Sequence, residues 1–153
     1  MNVLLVQISD YLNGGGGAIA GYRLQLGLQK AGVNSKILCG IKTTDSDDSV
    51  RIPRLTKPER YLGRVTRAFG LNDVHNLNSF GIPRLEAYKQ ADILNFQGFR
   101  KHFSYMALPA LTRDKPGVFT LQDIWAFTGH CAVTYDCERW KTGCGRRQSK
   151  SVR

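Results

Sequence analysis

Four consecutive glycines, Gly14–Gly17, stand between an apolar run and a helical pattern, and any chemistry they perform is that of the bare backbone. Without side chains the amides can approach a ligand closely, and the positive end of the following helix adds to the same field, which suits a phosphate or diphosphate. Gly15, Gly17 and Ala20 also satisfy the permissive dinucleotide pattern G-x-G-x-x-A. That fingerprint wants a tight turn directly after the strand and an acidic residue about 20 positions further on to hold the ribose. Here the glycines begin six residues after the apolar run, the second strand ends in Cys39-Gly40, and the nearest acid, Asp45, lies further out in a loop. A nicotinamide site is therefore disfavoured. What remains is a diphosphate loop or a ligand-free loop, the second costly in entropy to keep ordered.

A second constellation, Thr120–Gly145, gathers two tryptophans and three of the four cysteines into 26 residues. Cys131, Cys137 and Cys144 are spaced C-x5-C-x6-C, whereas a structural zinc site wants four ligands, usually with one close C-x2-C pair. Arg147 stands where a C-x2-C partner of Cys144 would be, and His130 is so close to Cys131 that joint ligation is awkward. The three cysteines are read as thiols without a metal, since free cysteine packs as a small apolar residue. Gln122-Asp123 follows a predicted strand at its carboxyl end, where open α/β sheets place ligand-binding groups. Asp123 suits either a sugar hydroxyl or the cap of the next turn. Trp125 and Phe127 offer rings for stacking on carbohydrate or for a core. His75 and His102 have no partner pattern and receive no role.

The elements that must position these groups follow from periodicity. Asn2–Ile8 is a β-branched and leucine-rich run without polar alternation, as in a parallel strand covered on both faces. From Ala18 to Ala31 the residues Ala20, Leu24, Leu28 and Ala31, joined by Ile19, Tyr22 and Leu26, predict the broad face of a helix lying on a sheet, with Gly32 as its stop. Asn34–Gly40 completes a strand, helix, strand unit. Asp92–Phe96 and Gly117–Leu121 are further strands, with a helix predicted near Ser104–Thr112 and another at Pro83–Gln90. The alternation predicts a Rossmann-like open parallel sheet with helices on both faces. Thr43–Ser49 reads as a polar loop. Lys57–Phe69 carries Lys57, Arg60, Arg64 and Arg67 on one helical face and Leu62, Val65 and Phe69 on another. It suits an anionic membrane surface, though the base rate for amphipathic helices favours a solvated helix covering the core.

At 153 residues the chain has the length of one domain, which can bury roughly 68–70% of its unfolded surface without staples. With 42% hydrophobic and 22% charged residues it is an ordinary globular composition and not a disordered one. Of the net charge of +10, the segment Glu138–Arg153 holds six basic residues and one acid, a net of +5, leaving +5 on residues 1–137. That mild excess suits anionic ligands or an anionic surface and does not point to nucleic acid. No apolar run is long enough to span a bilayer, and the N-terminal VLLV lacks the features of a signal peptide, so a cytoplasmic protein with reduced cysteines is expected.

The segments GGGGAIAGYRLQLGLQKAG, ADILNFQGF, KPGVFTLQDIWAFTGHC and CERWKTGCG, in this order, resemble the amino-terminal domain of glycosyltransferase family 4, in its polysaccharide-building branch. The resemblance covers about Met1–Arg146 and is most specific at its far end. It implies the amino-terminal half of a GT-B architecture, in which two Rossmann-like domains face across a cleft, the first receiving acceptor and the second holding most of the nucleotide-sugar. It implies a retaining transfer to a glycan or lipid-linked acceptor, with no metal or other cofactor and the nucleotide-sugar as co-substrate. Carried over by motif, Gly14, Gly15, Gly16 and Gly17 lie near the donor diphosphate, and Gln122, Asp123 and Trp125 face the acceptor side of the cleft. Many relatives have His-Asp where this chain has Gln122-Asp123. Relatives continue CGxCP into a second domain, whereas this sequence reads CGRRQ and ends at Arg153. The expectation is a domain over 1–146, a basic tail over 147–153 foreign to the fold, no donor-binding domain, and no transfer by the chain alone. The alternative is a small Rossmann-like nucleotide- or anion-binding protein without transferase activity. Peripheral contact with the inner face of the plasma membrane is an open alternative to a purely cytoplasmic location.

Overall fold

The computed structural model describes residues 1–11, 15–53, 56–69, 71, 73–98, 101–128 and 131–143. Gly14, His130, Cys144, Arg147 and the basic tail lie outside the described residues. The chain divides into two compact units, Met1–Thr120 and Leu121–Arg153.

The first unit is built on a five-stranded parallel sheet, β1 (Asn2–Ser9), β2 (Asn34–Ile41), β3 (Ser49–Arg51), β4 (Ile93–Phe96) and β5 (Gly117–Phe119). Its order is β3-β2-β1-β4-β5, so the most apolar strand lies at the centre. Val3 to Val6 and Ile37 to Cys39 are buried throughout, as a strand sandwiched on both faces requires. The expected α/β architecture is the observed one.

The two faces carry different cores. On one, Leu5, Ile37 and Cys39 meet Tyr22 and Leu28 of α1 (Gly15–Lys30). On the other, Leu4, Val6, Leu38, Leu94 and Phe96 pack with Ile82, Tyr88, Phe103 and Leu111. Those last four residues come from a 3-10 segment Leu77–Arg84, helix α3 (Glu86–Gln90), the loop after β4, and helix α4 (Leu108–Leu111). Tyr88 ties this side together by donating its hydroxyl to the Leu111 carbonyl at 2.9 Å. The predicted helix near Ser104–Thr112 arrives as a 3-10 turn, Tyr105–Ala107, running into α4, with Pro109 in its first turn, where no amide donor is needed.

Helix α1 departs from its sequence pattern in two ways. It starts at Gly15, so Gly15–Gly17 form its first turn and not a loop. It also buries Ala18, Gly21 and Gln25, while Ile19, Leu24 and Leu26, predicted to face the sheet, stay more than a third exposed. The cause is the polar character of the sheet beneath it. Gln25 donates to the Ser35 carbonyl at 3.2 Å, and the Ser35 hydroxyl returns a bond to the Gln25 carbonyl. Gly21 sits directly over buried Gln7, where an added Cβ would come within 1.8 Å of its Oε1. These contacts fix the helix rotation against the simple apolar moment. The end of α1 follows the sequence: Gly32, at φ +76°, closes it with bonds from Gly32 N to Gln29 O and from Val33 N to Leu28 O.

Strand β3 adds at the edge, starting at the last residue of the predicted polar loop, held by Ile37 N to Asp48 O and Ile52 N to Cys39 O. The predicted helix over Lys57–Phe69 is α2 (Thr56–Ala68). In the second unit the described backbone forms short 3-10 turns, Trp125–Phe127 and Arg139–Lys141.

Gly21→Ala forces a methyl into the Gln7 side chain, which is 1% exposed and held through Nε2 by the Ser9 and Asp10 carbonyls. A loss of about 1–3 kcal/mol in urea unfolding is expected. An unchanged midpoint would show that α1 lifts off the sheet without cost.

Candidate functional site at the carboxyl edge of the sheet

The strand order reverses between β1 and β4, so their carboxyl ends diverge into loops that leave in opposite directions. Such a switch point is where open α/β sheets hold ligands. Three segments belong to this edge by their place in the chain: the first turn of α1, the Asp10 region after β1, and Gln97-Gly98 after β4.

Asp10 organises this edge. It is 1% exposed, and its carboxylate accepts from five donors among the described residues: the amides of Tyr11, Thr43 and Thr44 and the hydroxyls of Thr43 and Thr44, at 2.6–2.9 Å. Its own amide donates to the Ile41 carbonyl at 3.1 Å. Burial alone would push the carboxyl up, but the bonds from Thr43 and Thr44 outweigh it and bring it down to about 2. The sequence pattern marks Thr43–Ser49 only as a polar loop and gives Asp10 no role. The available signal was a lone acid closing an apolar strand, matched by a Thr-Thr pair just after the next one.

Gln7 lies one layer below, donating from Nε2 to the carbonyls of Ser9 at 2.7 Å and Asp10 at 3.2 Å. Across the switch point, Gln97 N donates to Val6 O, and Gln97 Nε2 reaches Asn95 Oδ1 at 2.6 Å and Thr120 Oγ1 at 3.1 Å. Cys39, on the adjoining strand, is fully buried, and burial together with the nearby Asp10 charge pushes its thiol up to about 12.

Gly15 and Gly16 are exposed and Gly17 is half-buried at the N-terminus of α1, whose first turn carries no acid. The first amides of a helix have no acceptor within it, so this glycine turn carries the positive end of a 16-residue helix, which suits an anion. Gly14 lies outside the described residues. The other predicted site residues belong to the second unit. Asp123 accepts from the Trp125 amide at 3.0 Å, which fits the turn-capping alternative. Gln122 is exposed, and Trp125 is half-buried. Phe127 sets its ring edge-on to Trp140, with centroids 6.0 Å apart. The Gly15–Gly17 turn and Gln122–Trp125 thus fall in separate units. Cys131 is half-buried, bonded through its backbone to Thr128, and Cys137 is exposed. Among the described residues no group of three or more His, Cys, Asp or Glu side chains is placed to hold a metal. No helix among them is long and apolar enough to cross a membrane.

A stretch of 27 residues is 63% identical to the putative colanic acid biosynthesis glycosyl transferase WcaC of Escherichia coli (strain K12). It makes up 18% of this chain and 7% of that protein, so the similarity spans far less than two-thirds of the relative. No family model matches the chain, and no solved structure does. The match supports a glycosyltransferase relationship, and the sheet supplies the α/β framework for one.

Two measurements test the electrostatics of this edge. Because the folded Asp10 carboxyl is depressed from 3.8 to about 2, its contribution is complete above pH 4 and disappears as the pH falls through 2. The shift corresponds to about 2 kcal/mol. Urea unfolding between pH 5 and pH 2 should lose that much in the wild type and less in Asp10→Asn, which is already destabilised at pH 7. Equal pH slopes would remove Asp10 from this role. In native protein treated with N-ethylmaleimide, peptide mapping should find Cys137 modified rapidly and Cys39 only after unfolding. Modification of Cys39 at a rate like that of Cys137 would contradict its burial.

Proposed function

We propose that this chain is the acceptor-side, amino-terminal domain of a family 4 glycosyltransferase of polysaccharide biosynthesis. The observation that carries the proposal is the 63% identity over 27 residues with a protein whose name describes a glycosyl transfer in colanic acid biosynthesis. The reaction is retaining transfer of a sugar from a nucleotide-sugar to a glycan or lipid-linked acceptor. A second domain supplies the greater part of the donor site and the groups that make and break bonds.

The geometry supports this division of labour. The exposed residues Gly15 and Gly16 and the positive end of α1 suit the donor diphosphate, whose charge the helix end offsets without a metal. The acid at this edge is unsuited to proton transfer. Asp10 titrates near 2 with its oxygens already occupied, so it positions loops and does not act as a base. Cys39, held near 12, is no nucleophile at neutral pH. Binding and orientation are the contributions left to the first unit. In the second unit, Gln122, Asp123 and Trp125 line the acceptor side in this reading.

The test has two arms. Nucleoside diphosphates added to labelled protein should shift the amide resonances of Gly15–Gly17, and Gly16→Asp should weaken that binding at least about tenfold by placing an anion at the helix N-terminus. Inorganic phosphate competing as well as the nucleotides would favour a plain anion-binding protein. Incubation of the chain alone with labelled nucleotide-sugars and lipid or glycan acceptors should yield no product. Turnover by it alone would overturn the assignment of the chemistry to a second domain.

A further inference from the structure

Helix α2 is built inside out. The residues it turns towards the protein are Glu59, Gly63 and Thr66, all buried. Glu59 accepts from the Asn78 amide at 3.0 Å. Gly63 lets the His75 ring lie against the helix, where an added Cβ would come within 2.8 Å of it. Thr66 Oγ1 stands 3.4 Å from His75 Nδ1. The buried positions of the helix are therefore small or polar and bonded to neighbouring groups, with Leu62 half-buried at their edge and the other large apolar residues left to point elsewhere.

They point outward. Tyr61 is 72% exposed and Phe69 78%, with Val65 between them at helical spacing and Leu71 exposed just beyond the helix end. Of the apolar face Leu62, Val65 and Phe69, which suits either a membrane surface or the core, the structure half-buries Leu62 and leaves Val65 and Phe69 in solvent. Alongside them run Lys57, Arg60, Arg64 and Arg67, all exposed. Arg67 folds back to donate from Nε to the Gly63 carbonyl at 2.8 Å. Glu59, the one acid of the helix, is buried, so the outward face carries four cations and no anion.

We propose that this face of α2 docks on an anionic lipid bilayer. Exposed aromatic and aliphatic groups cost free energy in water in proportion to their area, and a helix that spends its inward face on hydrogen bonds has no internal place for them. A bilayer interface answers both halves of the pattern at once. Tyr61, Val65 and Phe69 enter the boundary between headgroups and acyl chains, and the adjacent cations meet lipid phosphates. A second copy of the chain answers only the apolar half, because a two-fold contact across α2 would set its cations against one another. The docking stands independently of the transferase proposal and requires no nucleotide-sugar.

The experiment is flotation of the full chain with extruded vesicles of phosphatidylcholine, with or without 30 mol% phosphatidylglycerol. Binding is expected with the anionic vesicles, weakly or not at all with the neutral ones, and it should fall in 0.5 M salt. Arg60→Glu/Arg64→Glu and Val65→Asp/Phe69→Asp should each weaken it at least about tenfold, the first through lost lipid charge and the second through lost insertion. Arg23→Glu/Lys30→Glu, with the same change in net charge on exposed residues of α1, should bind within about twofold of wild type. Circular dichroism spectra matching wild type confirm that the variants fold, as expected for exposed positions. Absence of binding to anionic vesicles overturns the proposal. So does binding that both α2 variants retain, which would assign it to basic residues elsewhere, or a dimer in solution that Val65→Asp/Phe69→Asp dissolves while vesicle binding persists.

Discussion

A carboxylate cannot be buried cheaply, and the arrangement of this protein's carboxyl edge follows from how Asp10 meets that constraint. Removed from water, it needs donors on both oxygens, and the nearest supply is the segment that follows β2. Thr43 and Thr44 fold back over the end of β1 and deliver both amide and hydroxyl. The end of β1 and the loop after β2 are thereby fastened as one piece. The site at the switch point has a fixed wall on that side because of this single charge.

Beneath the wall, a chain of polar contacts sets the helix that brings the glycines. Gln7 is occupied by the Ser9 and Asp10 carbonyls, and Gly21 passes directly over it. Gln25 and Ser35 exchange hydrogen bonds one turn further along. A helix held by such directional contacts cannot roll to bury Ile19, Leu24 and Leu26, because burial of area is non-directional and a few exposed side chains cost less than unsatisfied buried amides. The same logic operates at α2. There Glu59, Gly63 and Thr66 claim the inner face, and Tyr61, Val65 and Phe69 are left outside. In both helices local polar fit overrode the hydrophobic pattern. At α1 the result is an open glycine turn, and at α2 it is an exposed cationic and apolar face.

The sequence and the structure agree best where one physical signal dominates. The apolar run Val3–Val6 of β1 reads as a strand covered on both faces, and Gly32 as the end of a helix, and the structure has both. Strand β3 escaped notice because three residues at a sheet edge carry almost no periodicity, and the surrounding acids and serines read as a loop. At the candidate site the glycines were visible, since a run without side chains announces backbone chemistry. Asp10, Thr43 and Thr44 were not, because their role depends on a contact across more than 30 positions that no local pattern encodes.

The sequence by itself determined the α/β class, the burial of β1 on both faces, the position of the glycine run after it and the amphipathic character of α2. Composition and spacing suffice for these, since they concern each segment's own periodicity and the burial of its own apolar groups. Only the tertiary structure decided which face of each helix is buried, where Asp10 finds its donors and which cysteine is inert. Those outcomes depend on hydrogen bonds and close approaches between distant segments. A buried polar atom must find its partner wherever the fold has brought one.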